Sequence, residues 1–359
     1  MLAGIAASGA GVISVPGLSV AMATPTWRMP DEAQPHAATW MAFGPSDEIW
    51  GKGLKSAVQD DLARIAKAIS KYEPVKMLVR VEDYETAQRK CGPDVALVVK
   101  PIDDLWIRDT GPVFVRGPNG HLAGIDFNFN GWGGKQAHDE DATVAEFVCA
   151  EAGVAILTTK LILEGGGLEV DGEGTAIISE SCVLNRNRNP GVSKARCEAE
   201  LGRLLGLSKI IWIPGIAGRD ITDGHTDFYV RFAGPGVVVV GYDPDPKSFD
   251  HPVTLRNLEI LRQATDAKGR RLRVVVLQAP GTVRPRYESD DFAAGYINFY
   301  VCNGGVIAPE FGDKVADGRA KQALEALFPD RDVVQINIDA IAAGGGGIHC
   351  ATQQQPKAA

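Results

Sequence analysis

The 359-residue chain has no run of five like charges, no C-x-x-C pair and no Cys/His quartet. Its six cysteines, Cys91, Cys149, Cys182, Cys197, Cys302 and Cys350, are scattered, so neither a disulfide framework nor a structural zinc site is expected. The sustained heptads of a coiled coil and the strict glycine period of collagen are also missing, and a 45% hydrophobic composition excludes a disordered chain. From Leu2 to Ala23 the sequence is apolar, but Pro16 and many Gly, Ser and Ala residues make it a poor membrane-spanning helix. Basic residues are few: 37 Lys plus Arg face 45 Asp plus Glu, a net charge of −8. Such a surface does not favour nucleic acid or anionic lipid, and its field attracts small cations.

Charge is absent altogether from the first 27 residues, Arg28 being the first charged side chain. Ala21-Met22-Ala23 offers an A-x-A cleavage site, although no basic segment precedes the apolar stretch. Residues 1–27 are therefore expected to be an export signal, which would make the protein periplasmic or secreted; the alternative is a disordered extension of a cytoplasmic protein. No Pro/Ser/Gly linker interrupts the remainder, so residues 28–359 are read as one domain.

Glycine, by contrast, is abundant, with 41 residues. It is used where the backbone takes φ > 0 or approaches something closely, so its clusters are places to look for a site. Leu54, Val58, Leu62, Ile65 and Ile69 recur at helical spacing, and Val75–Val81 then reads as a strand. The same order returns at 83–91 and 95–99, 140–152 and 154–159, 193–206 and 209–213, 254–268 and 272–277, and 315–327 and 333–338. This alternation predicts an α/β fold. Five strands run into Gly- or Asp-rich loops whose marker residues Asp109, Glu164, His225, Tyr287 and Cys350 are 55, 61, 62 and 63 positions apart. A period near 60 suggests five pseudo-symmetric modules; if they close into a ring, all five loops meet at one end of its axis. An open α/β sheet is the alternative.

Cys350 follows four glycines, where flexible backbone leaves a thiol approachable and can offer it N–H groups, as a nucleophile requires. The other five cysteines read as core, Cys91, Cys149 and Cys197 on helices and Cys182 and Cys302 in apolar strands. His225 and Asp227, two apart, are expected on one face of a strand, projecting into one pocket. Asp109 sits in a tight W-I-R-D-T-G-P segment, and Glu164 at a strand end before three glycines. A papain-like hydrolase needs one carboxylate or amide to orient its histidine, not three acids. Several acids around a thiol suit a cationic electrophile, and guanidinium matches carboxylates in bidentate fashion. Asp109 and Asp227 would hold the guanidinium while the Cys350 thiolate attacks its carbon. His225 would protonate departing ammonia and then activate water, with Glu164 paired to His225 or to the substrate. No metal or organic cofactor is needed. Amidino transfer would use the same residues with an amine in place of water, and a non-catalytic binding propeller would have no need of Cys350.

At these residues the chain resembles the agmatine deiminase family, also described as porphyromonas-type peptidylarginine deiminases, within the guanidino-modifying superfamily. The resemblance spans about residues 28–356 and rests on M-P-D-E at 29–32, P-H-A-A-T-W-M-A-F at 35–43, I-D-D-L-W-I-R-D-T-G-P at 102–112 and F-N-G-W-G-G-K at 129–135. It continues with L-E-G-G-G at 163–167, D-G-H-T-D at 223–227, Y-I-N-F-Y at 296–300 and G-G-G-G-I-H-C-A-T-Q-Q-Q-P at 344–356. It implies a five-bladed ββαβ propeller with pseudo-fivefold symmetry, and suggests a homodimer. It places the nucleophile on Cys350, the histidine on His225, the acids on Asp109, Glu164 and Asp227, and substrate contacts on Trp106, Asp109, Asp227 and Gly347. The 225–232 segment, H-T-D-F-Y-V-R-F, departs from the H-V-D-N-F-A-R-F type of cytosolic agmatine enzymes, and Ile221 stands where some relatives are expected to carry an acid toward the distal amine. The implied reaction is hydrolysis of agmatine to N-carbamoylputrescine and ammonia, with peptidyl- or free arginine as the alternative substrate.

Overall fold

The computed structural model describes residues 27–289 and 291–358, so Ala21-Met22-Ala23 and the apolar segment around it lie outside the described residues. Among those residues sixteen strands form five sheets. The fold is α/β, as the alternation predicts. Four sheets are built alike from three consecutive strands: β4 (Val113–Arg116), β5 (Leu122–Asp126) and β6 (Ala155–Thr158); β7 (Leu168–Val170), β8 (Thr175–Ser179) and β9 (Lys209–Ile213); β10 (Val230–Gly234), β11 (Val237–Tyr242) and β12 (Arg273–Gln278); β13 (Tyr300–Cys302), β14 (Gly305–Glu310) and β15 (Asp332–Asn337). In each, the first pair is antiparallel and the second parallel. A hairpin can join antiparallel strands, whereas a parallel pair needs a crossover, and each crossover here contains a helix.

The remaining sheet joins β1 (His36–Phe43), β2 (Val75–Val79) and β3 (Val95–Val99) to the last strand, β16 (Gln353–Pro356). β16 lies antiparallel to β1, the place a hairpin partner holds in the other sheets, so the two ends of the described chain share one sheet.

The crossover helices end where local chemistry stops them. Ser193 caps the Lys194–Leu205 helix through the Arg196 N–H, and Gly206 closes it in the left-handed region at φ 71°. The Asp47–Ile69 helix begins seven residues before its regular apolar spacing, because Ser46 accepts from the Ile49 N–H, and a kink at Gly51 (φ 68°) separates that first turn, with Trp50 buried, from the regular stripe. Val58, Leu62, Ile65 and Ile69 are fully buried against a cluster that includes Met77 and Val79 of β2. Each such side chain contributes roughly 1.5–3 kcal/mol.

Strands become drier toward one edge of each sheet: β7 and β13 are buried at every residue, whereas three of the four residues of β6 are exposed. The dry edges meet around Glu32. Its carboxylate accepts from Arg231 of β10, the Val301 N–H of β13, Arg108 before β4, and His349 before β16. Arg231 also binds Glu169 of β7, and Arg108 binds Gln353 and Gln354 of β16. Buried charges of this kind persist only when fully paired. Among the described residues no helix is long and apolar enough to cross a membrane.

Candidate active site

Beside this meeting point opens a cavity of about 1010 Å³ whose lining includes Trp106, Asp109, His225 and Cys350. The turn Ile107–Thr110 divides its side chains between the two regions: Asp109 faces the cavity, while Arg108 reaches Glu32, and Trp106 at the cap of the turn forms cavity wall. Asp109 Oδ2 accepts from the Trp132 indole (2.9 Å) and Oδ1 from the Gly166 N–H (3.1 Å). Trp132 holds φ 55°, a conformation uncommon for a bulky residue, in making that bond. Burial, followed by the neighbouring Glu164 and Asp227 charges, raises the Asp109 carboxyl above its usual range, with His225 opposing.

His225 and Asp227 do not share a strand face. His225 caps a tight 3-10 turn, Thr226–Phe228, and Asp227 lies within it, because Gly224 (φ 85°) and the Asx turn at Asp220 bend the chain before β10 can begin. The turn sends them in different directions. His225 Nε2 lies 3.3 Å from Glu164 Oε2 and Nδ1 3.7 Å from Asp109 Oδ2. Against the cost of burial, Asp109, Cys182 and Glu164 hold this histidine well above its ordinary range. Asp227 Oδ2 accepts instead from His349 (2.7 Å) and stands 3.6 Å from Cys350 Sγ. Its other oxygen is buried and unpartnered. Burial works against its charge, but the His349 hydrogen bond and charge outweigh it, so the carboxyl is held below its usual range.

Glu164 lies behind His225, fully buried, and Arg188 donates to both of its oxygens (2.7 and 2.9 Å). It therefore serves His225, and none of its capacity faces the cavity. Cys182 sits not in a strand but in the helical turn Glu180–Val183, where its thiol donates to Glu164 (3.5 Å). Glu164, Cys182 and His225 present ligand-type atoms within 4.8 Å of one another, but the Arg188 guanidinium already matches the carboxylate.

Cys350 is 7% exposed. Its thiol donates toward Asp227 and receives the Asn298 amide N–H at 3.3 Å; His225 is not among its partners. Burial and the Asp227 and Asp109 charges push the thiol well above its ordinary range, opposed by the Gly347 N–H and Asn298. The four glycines before it act through space more than flexibility, for only Gly345 takes a positive φ. A Cβ on Gly344 would overlap the Trp50 ring and one on Gly346 the Trp106 ring; on Gly347 it would lie 2.5 Å from Asn298 Oδ1. Gly347 thus faces Asn298 and the thiol, while Gly344 to Gly346 line the cavity.

The period-60 marker Tyr287 does not line the cavity; the residue that its module sends to the thiol is Asn298, in the Y-I-N-F-Y motif. Ile221 is at the mouth, beside Asp220. Of the residues not singled out from sequence, Asn298, His349, Trp132 and Glu32 lie within quoted motifs and Arg188 lies outside all of them, and their contacts join segments far apart in the chain.

The sequence matches the Porphyromonas-type peptidyl-arginine deiminase family over residues 28–356. Agmatine deiminase from Stutzerimonas stutzeri is 39% identical over 91% of this chain and 95% of its own, and that from Pseudomonas aeruginosa 38% over 92% and 95%. The solved agmatine deiminase of Enterococcus faecalis superposes with a TM-score of 0.88 at 33% identity, covering 93% of this chain and 96% of that one. With the thiol, the histidine and Asp109 lining one cavity, Glu164 and Asp227 in contact with them, and the likeness running from end to end, the chain belongs to the Porphyromonas-type peptidyl-arginine deiminase family.

Proposed function

We propose that the protein hydrolyses the guanidinium group of agmatine to a ureido group and ammonium, with Cys350 as nucleophile, inside a five-bladed ββαβ propeller formed by residues 28–359. The observation that carries the reading is the bare, buried Oδ1 of Asp227, the carboxylate whose Oδ2 lies 3.6 Å from the Cys350 thiol. A buried carboxylate oxygen without a donor is costly, and a guanidinium N–H supplies one. Asp109, raised above its usual range by burial and its acidic neighbours, regains its charge against the same cation. The repeated strand pattern and the use of β16 to complete the first sheet support closure of a ring with this site on its axis.

The chemistry follows from the protonation states. At rest the thiol is protonated and His225 is an imidazolium. Entry of the cationic guanidinium favours thiolate, the thiol proton passing to solvent and returning to sulfur after turnover, and the thiolate attacks the central carbon to give a neutral tetrahedral adduct. His225 passes its proton to one amino group, ammonia leaves, and a cationic amidino-cysteine remains. Neutral His225 then removes a proton from water as its oxygen attacks; the C–S bond breaks, thiolate is regenerated, and the hydroxyl proton leaves with ammonia as ammonium. Overall, guanidinium and water give a neutral urea and ammonium. Glu164, fixed by Arg188, keeps His225 charged for the first step.

The outer part of the cavity carries Asp220, Asp243, Asp245, Asp250 and Asp291 against Lys135 and Arg219. Lys135 is already paired with Asp223. This wall suits a distal ammonium and opposes the α-carboxylate of free arginine. A panel of agmatine, arginine and an internal-arginine peptide, read by ammonia release without added amine, tests the reading. We expect kcat/KM for agmatine about 100-fold above that for arginine, a gap of ~2.7 kcal/mol. Preference for arginine or the peptide, or a strict need for an added amine acceptor, would overturn it.

Trp106 forms the wall along which the substrate chain would lie. Gly346→Ala should press a methyl group into its ring and shift the indole into the cavity. Overpacking costs ~1–3 kcal/mol, so we expect KM for agmatine to rise about tenfold with unchanged far-UV circular dichroism.

A further inference from the structure

The roles above leave out one buried side chain that touches the catalytic carboxylate. His349 is 2% exposed and immediately precedes Cys350. Its Nδ1 lies 2.7 Å from Asp227 Oδ2 and its Nε2 2.8 Å from Glu32 Oε2. Carboxylate oxygens only accept, so the ring serves both neighbours only with a proton on each nitrogen. The backbone that carries the ring is itself fixed: the His349 N–H donates to Asn298 Oδ1 (2.9 Å), and the His349 carbonyl accepts from Arg108 Nε (3.2 Å). Glu32 is held in turn by Arg231 and the Val301 N–H. Glu32, His349, Arg108 and Glu169 border a second cavity of about 10 Å³, room for about one water, which shares no lining residue with the large one.

We propose that His349 is a positioning residue of the reaction: bridging Glu32 and Asp227, it locks the Asp227 carboxylate with Oδ2 occupied and Oδ1 turned bare toward the guanidinium. The inference rests on the reading of the site as a guanidinium hydrolase. It explains why only one of the two Asp227 oxygens lacks a donor, and why a histidine stands beside the nucleophile without touching its sulfur. Through Glu32 the same residue ties the nucleophile's turn to the meeting edges of the sheets, so the orientation of Asp227 depends on how the whole fold is assembled.

The groups facing Asp227 are His225 on its own turn, His349 and Cys350 from the C-terminal turn, Arg231 from β10, and Asp109 from the turn before β4. Among these, His349 supplies the hydrogen bond that keeps Asp227 ionised. His349→Gln should therefore move the acid limb of the kcat/KM profile for agmatine upward by about one pH unit, with kcat/KM at its plateau reduced about 30-fold or more. Glu32→Gln should move the limb in the same direction by less. A merely structural role would lower the amplitude and leave the limb in place, and that outcome would overturn the proposal. Should His349→Gln fail to fold, nitrogen NMR of the wild-type protein gives the answer without turnover: we expect protons on both His349 ring nitrogens at the pH of the assay, and a ring with one bare nitrogen would refute the bridge. Absence of agmatine turnover in the wild type, with both protons present, would instead count against the reaction and leave the bridge standing.

Discussion

Cys350→Ser is expected to lower ammonia release from agmatine by about 10⁴-fold or more, equivalent to ~5.5 kcal/mol of transition-state stabilisation. A hydroxyl has the same shape but ionises far less readily than a thiol, and this site makes ionisation harder still. Burial and the Asp227 and Asp109 carboxylates already push the Cys350 thiol well above its ordinary range. A bound cation can offset that for a thiol but not for an alcohol. The fold should be unaffected, because the turn around Cys350 is held through its backbone N–H groups, the Asn298 side-chain Oδ1 accepting from those of His349 and Cys350. Agmatine should therefore still bind, measurable by calorimetry as retained affinity. Cys182→Ser, by contrast, should retain turnover, since Cys182 does not line the cavity and a serine hydroxyl can make the same contact to Glu164 beside His225.

His225→Asn should cost about 10³-fold in kcat, within the ~10²–10⁴ range of general acid–base catalysis. The asparagine fills similar space but can neither give the proton that releases ammonia nor take one from water. The same residue sets the alkaline side of the pH profile. Its folded pKa is raised by Asp109, Cys182 and Glu164 against burial, so the charged ring contributes stability fully below the ordinary histidine range and loses it as pH rises through the raised value. The raised Cys350 thiol acts in the same sense, because the unfolded chain gives up that proton at a lower pH than the fold does. Thermal stability should thus fall on the alkaline side, and the wild-type kcat profile should lose activity there as the imidazolium is lost. In His225→Asn that alkaline limb should disappear. Its persistence would assign the limb to another group.

The alternation of helices and strands was legible because each crossover helix buries one stripe and each parallel strand is a short β-branched run. The strands at the dry edges were not, because burial on both faces leaves no alternation: Leu168, Glu169 and Val170 of β7 are all buried, and the charged residue among them answers Arg231. Glycine clusters located Cys350, His225, Asp109 and Glu164, since loop backbone must come close to them; Gly166, whose Cβ would lie 2.6 Å from His225 Nδ1, is the plainest instance. Spacing failed at Tyr287, where the long segment before β13 displaces the contributing residue to Asn298. A strand face was the wrong frame for His225 and Asp227, because Gly224 and Asp220 turn the chain there. Cys182 and Arg188 stand outside every motif, and His349 and Glu32, though inside motifs, take their meaning from a partner 317 residues away.

The account stands most directly on a covalent bond between Cys350 and the guanidinium carbon. Wild-type protein should be acid-quenched during steady-state turnover of agmatine, then measured intact and after proteolysis by mass spectrometry. The predicted result is a transient species heavier by agmatine less ammonia, confined to the peptide containing Cys350, which vanishes when substrate is exhausted and never forms in Cys350→Ser. Undiminished turnover in Cys350→Ser, or an adduct on any other cysteine with Cys350 unmodified, would contradict it.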